Sequence, residues 1–289
     1  MVATRAAQVC AALALVLCAA LGCSLWGPKL DLPEHPEEAA ASPAIGARAL
    51  LRANQEELEL ATWQPAIQSL VDALGDQIDA ARAQPLRAAV RRAYGAQRLF
   101  DRVATSLTDD WDAEAALAQF RFLDSSIGRK ILRARALRRD EKSAERFRAF
   151  SRDFSEASFP AARVALLRRL DRALLTSRGA VLVNRAVVDA ALAALSGAMS
   201  GTDAAAFRSL RERAAREESQ LYPMAADELL RWQLFAFDSL SDAELARYAD
   251  FAESPAGQWY VVANARALRL AANGAGEELF QALRPRNEL

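Results

Sequence analysis

The sequence predicts an all-α protein, a multi-helix array behind an N-terminal signal peptide and a flexible tether. The 289 residues include 66 Ala but only 12 Gly and 10 Pro. Alanine is the best helix former, and glycine and proline are the weakest. From about residue 47 onward, apolar residues recur at helical spacing, without the alternation that is typical of strands.

The charges balance over the whole chain, with 37 basic and 37 acidic residues. This excludes a strongly basic nucleic-acid binder, so no nucleic acid is expected among the partners. Locally, residues 129–148 are rich in Arg and Lys, whereas residues 203–255 are acidic. The basic segment is either a surface for anionic lipid headgroups or an acidic partner, or a solvated face that the acidic half neutralises.

The first 22 residues have the pattern of an export signal. Arg5 precedes an apolar run that ends in Ala20-Leu21-Gly22-Cys23. This segment resembles a bacterial lipobox, which implies cleavage between Gly22 and Cys23 and attachment of lipid to Cys23. A plain secretory signal and an uncleaved anchor are the alternatives. With Ser24 after the cysteine, the resemblance implies an outer-membrane lipoprotein that faces the periplasm of a Gram-negative bacterium.

Residues 23–46 are predicted to form a lipid-anchored flexible tether. They contain four prolines, several glutamates and few large apolar residues, a composition that buries too little surface to offset its ordering entropy. His35, the single histidine, is interpreted as a solvated tether residue.

The body is divided into an N-terminal half, 47–175, and a C-terminal half, 176–289. Phe147, Phe150 and Phe154 are interpreted as an aromatic core stripe. Ser241 to Glu244 has the pattern of a capping box, in which the serine and glutamate side chains each bond to the other's backbone N–H. Further boundaries are predicted as helix starts at Pro85, Pro160, Thr202-Asp203, Pro223 and Pro255, and as helix ends at Gly179, Gly201 and Gly274.

A short internal sequence repeat predicts two similar helix–corner–helix elements, the first of them degenerate. Residues 122–128 align with 251–257 at an offset of 129, whereas 112–114 align with 242–244 at an offset of 130, so one extra residue is expected in the first copy. We expect the serines to cap helices, the phenylalanines to be buried and the glycines to face a neighbouring helix. The corner residues are Phe122, Ser125, Gly128, Ser241, Glu244, Phe251, Ser254, Pro255 and Gly257.

The second copy also resembles a known family. Leu240-Ser241-Asp242-Ala243-Glu244-Leu245, followed by Phe251-Ala252-Glu253-Ser254-Pro255-Ala256-Gly257-Gln258, is similar to the pattern of domain of unknown function 2059. The resemblance covers about 229–283. It implies a small helical, exported, mostly proteobacterial protein and implies no particular chemistry.

Catalytic and cofactor motifs are missing from the predicted body. Its lack of His and Cys argues against a hydrolytic triad and a zinc site, and no nucleotide-binding loop is present. We therefore expect no enzyme, metal or cofactor. Two acidic clusters, 109–114 and 217–218, are interpreted as helix-start or solvated charges.

Three functions are compatible with the sequence. The leading hypothesis is a non-enzymatic interaction or scaffold protein, held at the membrane by its lipid and bound to an envelope protein. The alternative is a periplasmic carrier or chaperone for an acyl chain or unfolded client, which requires an apolar cavity or groove. The third is a carboxylate-based cell-wall hydrolase, which requires two facing acids. The sequence leaves the oligomeric state open.

Overall fold

The computed structural model describes residues 32–73, 80–137, 140–199 and 201–284. Within these ranges the regular structure is entirely helical, which confirms the all-α fold class. The signal peptide, Gly22 and Cys23 lie outside the described residues, as do the side chains of Thr202, Asp203, Glu217 and Glu218.

In chain order, the described residues form the following helices and one 3-10 turn. They are α1 (Pro36–Ala41), α2 (Pro43–Ala53), α3 (Glu56–Ala73), α4 (Ala80–Ala93), α5 (Ala96–Thr108), α6 (Ala113–Asp124), α7 (Ser126–Ala136), α8 (Glu141–Arg152), a 3-10 turn (Glu156–Ser158), α9 (Ala161–Leu174), α10 (Thr176–Ala198), α11 (Gly201–Ala236), α12 (Asp242–Glu253) and α13 (Pro255–Leu283).

The predicted tether is wrong for residues 36–46, which form α1 and the start of α2. Pro36 and Pro43 stand at first helical positions, where a missing N–H costs nothing. Small side chains let these helices pack closely, and the Trp111 indole Nε1 donates to the Ala40 carbonyl oxygen at 2.8 Å. His35 precedes α1 with an exposed side chain, as predicted.

Several predicted helix boundaries are also wrong. Pro85 and Pro223 lie inside α4 and α11, and Gly274 lies inside α13. Gly179 belongs to the first turn of α10, and the left-handed residue that ends α9 is Leu175, with φ of 50°. Packing of long helices on neighbouring helices outweighs the cost of one interior proline or glycine.

Three hydrophobic clusters hold the helices together. The largest joins residues of α2–α5 with residues of α10, α11 and α13, so the two predicted halves share one core. The second joins α7, α9, α11 and α12. The predicted aromatic stripe packs against the edge of this cluster, with Phe147 on Trp232 and Phe150 on Phe235, and its three phenylalanines are half-buried. The third is small and joins α1, α2, α6 and α7.

Within the described ranges, α10 is the one helix that is long and apolar enough to cross a membrane. In this structure it packs along α11 and α13, and its buried residues from Val187 to Leu195 belong to the largest cluster.

Both predicted corners are built from the same hydrogen bonds. The Ser125 hydroxyl donates to the Phe122 carbonyl at 2.6 Å and accepts from the Gly128 N–H at 3.1 Å. The Ser254 hydroxyl does the same with Phe251 and Gly257, at 2.7 and 3.2 Å. The predicted N-caps are therefore confirmed, and so is the Ser241–Glu244 capping box, which begins α12.

The predicted one-residue insertion is wrong. Helices α6 and α12 each have 12 residues, and their N-caps, Asp112 and Ser241, are separated by the same offset as the corner serines. The two elements thus align at an offset of 129 throughout, and the Asp-Ala-Glu match at 130 is a coincidence.

The two corners face each other. The rings of Phe122 and Phe251 are stacked with centroids 3.8 Å apart and an interplanar angle of 3°. Helix α6 packs against α13 while α7 packs against α12, as an approximate two-fold arrangement requires. Both phenylalanines are half-buried. One face of each ring is covered by the other ring, and the rest of the side chain borders a cleft.

The corner glycines have a different role from the expected one. A Cβ on Gly128 would lie 2.1 Å from the Phe122 carbonyl oxygen, and one on Gly257 would lie 2.3 Å from the Phe251 carbonyl oxygen. Each glycine therefore makes room for the end of the preceding helix. The close crossing of two long helices occurs elsewhere, at Gly276, where a Cβ would lie 2.8 Å from Ala190.

Candidate functional site

A cleft of about 1150 Å³ opens where the hydrophobic clusters meet. Its walls are mostly apolar and come from α3, α6, α7 and α9–α13. The stacked corner rings, Phe122 and Phe251, form part of the wall. A pocket of this kind, apolar with a few convergent polar groups, is the usual form of a small-molecule binding site.

Polar side chains meet in one part of this cleft. The carboxylate oxygen Oε1 of Glu56 accepts from Asn264 Nδ2 at 2.9 Å and from the Tyr260 hydroxyl at 3.4 Å. Arg135 donates from Nη2 to the Tyr248 hydroxyl at 2.7 Å and from Nη1 to the Asn54 side-chain oxygen at 3.3 Å. The polar cluster consists of Asn54, Glu56, Arg135, Tyr248, Tyr260 and Asn264.

The electrostatics of the polar cluster favour a neutral Glu56. Burial, reinforced by the negative charge of Glu59, raises the pKa of Glu56 from 4.5 to about 7, against the opposing effect of Arg135. Glu56 keeps some exposure towards the cleft, but the surrounding protein displaces much of the water that would stabilise its charge. Burial also raises the pKa of Tyr260 well above its ordinary range. Such shifts concentrate at functional sites.

The polar cluster uses equivalent positions of the two corner elements. Arg135 and Asn264 are 129 residues apart, as are Ile131 and Tyr260 one turn before them. The two elements therefore present matching helix faces to the same cleft, but with different polar groups. This asymmetry gives the cleft one cationic side and one amide side.

Unusual backbone conformations border the same cleft. Gln55 and Leu175 have φ of 64° and 50°, and they are the non-glycine residues with positive φ in the part of the chain that the structure describes. Both line the cleft, one between α2 and α3 and the other between α9 and α10. Strained residues of this type cluster at ligand clamps and switch regions.

Unpaired acceptors also line the cleft. Gln233 is only 5% exposed, and its Oε1 has no hydrogen-bond partner among the described residues. The same holds for Oδ1 of Asn264, whose amide nitrogen binds Glu56. Buried acceptors of this kind are normally paired, so a ligand donor or water is expected to complete them.

Large apolar side chains are exposed on several cleft-lining helices. Leu175 is 38% exposed, Leu182 is 51% exposed and Met224 is 60% exposed. They come from the α9–α10 junction, α10 and α11. An apolar ligand therefore meets apolar surface on the exposed part of the cleft.

The residues singled out in the sequence fall into two groups. Phe122, Phe251 and Gly257 line the cleft, whereas the serines and Glu244 serve the local caps. Part of the basic segment is engaged within the fold, since Lys130 pairs with Glu244 at 2.6 Å and Arg135 joins the polar cluster, whereas Arg133, Lys142 and Arg148 are exposed. The Lys130–Glu244 pair is a contact of the kind that neutralisation by the acidic half requires, whereas Arg135 bonds to neutral groups.

The acidic cluster at 109–114 includes structural groups. Asp112 caps α6, and Asp110 pairs with Arg266 at 2.6 Å. Among the described residues, no three His, Cys, Asp or Glu side chains are grouped in a way that would hold a metal ion.

Neither a family model nor a curated protein nor a solved structure matches this chain. The resemblance of residues 229–283 to domain of unknown function 2059 thus stays a prediction from the sequence.

Proposed function

We propose that this protein is a carrier that binds an amphipathic molecule in the cleft, with an acyl or similar chain along the apolar walls. The observation that carries the proposal is the cleft itself, about 1150 Å³ with mostly apolar walls and one polar cluster. Its volume slightly exceeds the roughly 300–1,000 Å³ of most small-molecule sites, which suits a long ligand. This is the function that the sequence left as the alternative to a scaffold.

Further features support a binding role over a purely structural one. The raised pKa of Glu56, the two positive-φ residues and the unpaired acceptors all belong to the same cleft. A protein that acted only through its outer surface would have no need to maintain an open interior space of this composition. Packed interiors are normally filled to the density of organic crystals.

The carrier is further proposed to be held at the periplasmic face of the outer membrane by a lipid on Cys23, without metal or cofactor. The lipobox-like segment ending at Cys23 supports this location. Cys23→Ala should abolish acylation and leave the protein as a precursor or a soluble form. Cell fractionation and metabolic labelling with a fatty acid measure the outcome; a variant that stays in the membrane fraction like the parent would exclude lipid anchoring.

Binding is tested with a photoreactive long-chain acyl probe added to membranes that contain the full chain. We expect cross-links on cleft-lining peptides of α3 and α13, identified by mass spectrometry. Ala265→Trp places a large side chain on a half-buried lining position and should reduce labelling several-fold.

The matched control is Ala88→Trp, an exposed position of α4 that does not line the cleft, which should label like the parent. Thermal unfolding of both variants verifies that each retains its fold. Equal labelling of the two variants, or labelling spread evenly over the surface, would exclude the cleft as the binding site.

A further inference from the structure

We propose that the polar cluster binds a monoanionic head group, with Arg135 as its counter-charge, so that the ligand is a long-chain carboxylate or a phosphodiester lipid. This inference rests on the proposed carrier function and specifies its ligand class. These two classes of ligand have the same recognition feature, a single negative charge at the end of an apolar chain.

The first argument is the bonding of Arg135. Within the described ranges, no carboxylate oxygen lies within 4.0 Å of its guanidinium, which donates to two neutral groups, the Tyr248 hydroxyl and the Asn54 amide oxygen. Tyr248 is only 4% exposed, so this end of the guanidinium is held away from bulk water. Neighbouring groups, Tyr248 foremost, hold the pKa of Arg135 above its usual range, so the guanidinium stays charged, and an incoming anion would give it a directly bonded counter-ion.

The second argument is the state of the nearest acid of the polar cluster. Glu56 is a poor counter-ion for Arg135, because it bonds to Asn264 and Tyr260 instead and because its carboxyl group is partly protonated at neutral pH. A neutral Glu56 leaves the positive charge of Arg135 available to a ligand.

The third argument is the charge balance of the cleft. Glu228 pairs with Arg231 at 3.0 Å and Arg266 pairs with Asp110 at 2.6 Å. The other charged residues that line the cleft are Arg135, Arg178 and Arg269 against Glu56, Glu59 and Asp227. Because Glu56 is partly protonated at neutral pH, the balance is shifted towards a positive charge, and a bound monoanion would neutralise this excess while favouring the protonated form of Glu56.

The position of Arg135 also suits a head-group site. It lies on α7, one turn beyond Ile131, and Asn264 lies at the equivalent place on α13. A head group beside α7 would meet the guanidinium through its anionic oxygens, whereas the unpaired Asn264 Oδ1 is an acceptor and would be met by water or by a hydroxyl of the head group. The apolar chain would then lie along the remaining walls.

The experiment compares probes of equal chain length that differ only in their head group. The photoreactive acyl probe is bound to the full-length protein in its membrane, and its displacement by four competitors is measured. The competitors are a long-chain fatty acid, lysophosphatidylglycerol, lysophosphatidylcholine and a long-chain alcohol. We expect the first two to compete roughly tenfold to hundredfold better than the alcohol, since hydrogen bonds to charged groups contribute about 1.5–3 kcal/mol. The first two probes also decide between the carboxylate and the phosphodiester.

Variants at one helix separate charge recognition from stability. Arg135→Gln should abolish the preference for anions while the alcohol still competes, and Arg135→Lys should retain much of the preference. Arg133→Gln, which removes an exposed charge from the same helix, should behave like the parent. Equal competition by all four probes would overturn this inference but leave the carrier function intact, whereas no competition by any probe would overturn both.

Discussion

Replacement of Gly257 by alanine is expected to destabilise the protein by about 3 kcal/mol, at the upper end of the cost of overpacking. The new Cβ would lie 2.3 Å from the Phe251 carbonyl oxygen and 2.7 Å from that of Ala252. Both contacts are with backbone, which cannot rotate away as a side chain can. The corner between α12 and α13 must open, and this disturbs the Ser254 cap and the stacking of Phe251 on Phe122.

Gly128→Ala should have a similar effect, because its Cβ would lie 2.1 Å from the Phe122 carbonyl oxygen. The matched control is Gly179→Ala in the first turn of α10, where a Cβ meets nothing within 4 Å. There the substitution should stabilise by about 0.5–1 kcal/mol, since alanine loses less backbone freedom in a helix. Urea unfolding of the three variants beside the parent measures these differences. If Gly257→Ala and Gly179→Ala shift stability in the same direction, the close approach at the corner does not exist.

Local signals in the sequence predicted the parts of the fold that depend on local hydrogen bonds. The Ser241–Glu244 capping box and the corner serines need only neighbours three residues away, so their pattern is visible in the chain. Interior prolines gave wrong boundaries because the long α11 continues through Pro223, supported by its contacts with α10. The helices at 36–46 were missed because their burial depends on Trp111, which lies in a distant segment.

The polar cluster was missed for a related reason. Its members come from the end of α2 and from α3, α7, α12 and α13, and the bond from Asn264 to Glu56 joins residues 208 positions apart. In the sequence, Glu56 stands in an acidic first turn with Glu57 and Glu59, as at many helix starts. Only the rotation of α3 about its axis decides which of these acids faces α13. The one available signal for the polar cluster was the internal sequence repeat, which aligns Arg135 with Asn264 at an offset of 129.

The titration of Glu56 is expected to lower the stability of the protein by about 2 kcal/mol between pH 4.5 and pH 7. Its pKa is about 7 in the folded chain and near the ordinary 4.5 when unfolded. Over this interval the folded state holds the proton more tightly, so the stabilisation that it provides is complete below pH 4.5 and is lost as pH rises to about 7. The full difference corresponds to about 3 kcal/mol, and the partial exposure of Glu56 to the cleft reduces it.

Comparison with Glu56→Gln isolates this effect. The amide cannot ionise, so other titrating groups, such as Glu244 with its lowered pKa, contribute equally to parent and variant and cancel in the difference. The parent should lose about 2 kcal/mol relative to Glu56→Gln when urea unfolding is repeated at pH 4.5 and pH 7.5. Glu57→Gln, at an exposed neighbouring position, should differ from the parent by less than about 0.5 kcal/mol at both pH values. A difference between parent and Glu56→Gln that does not change with pH would mean that Glu56 is solvated and ionised throughout, and the charge of Arg135 would then already be balanced inside the cleft.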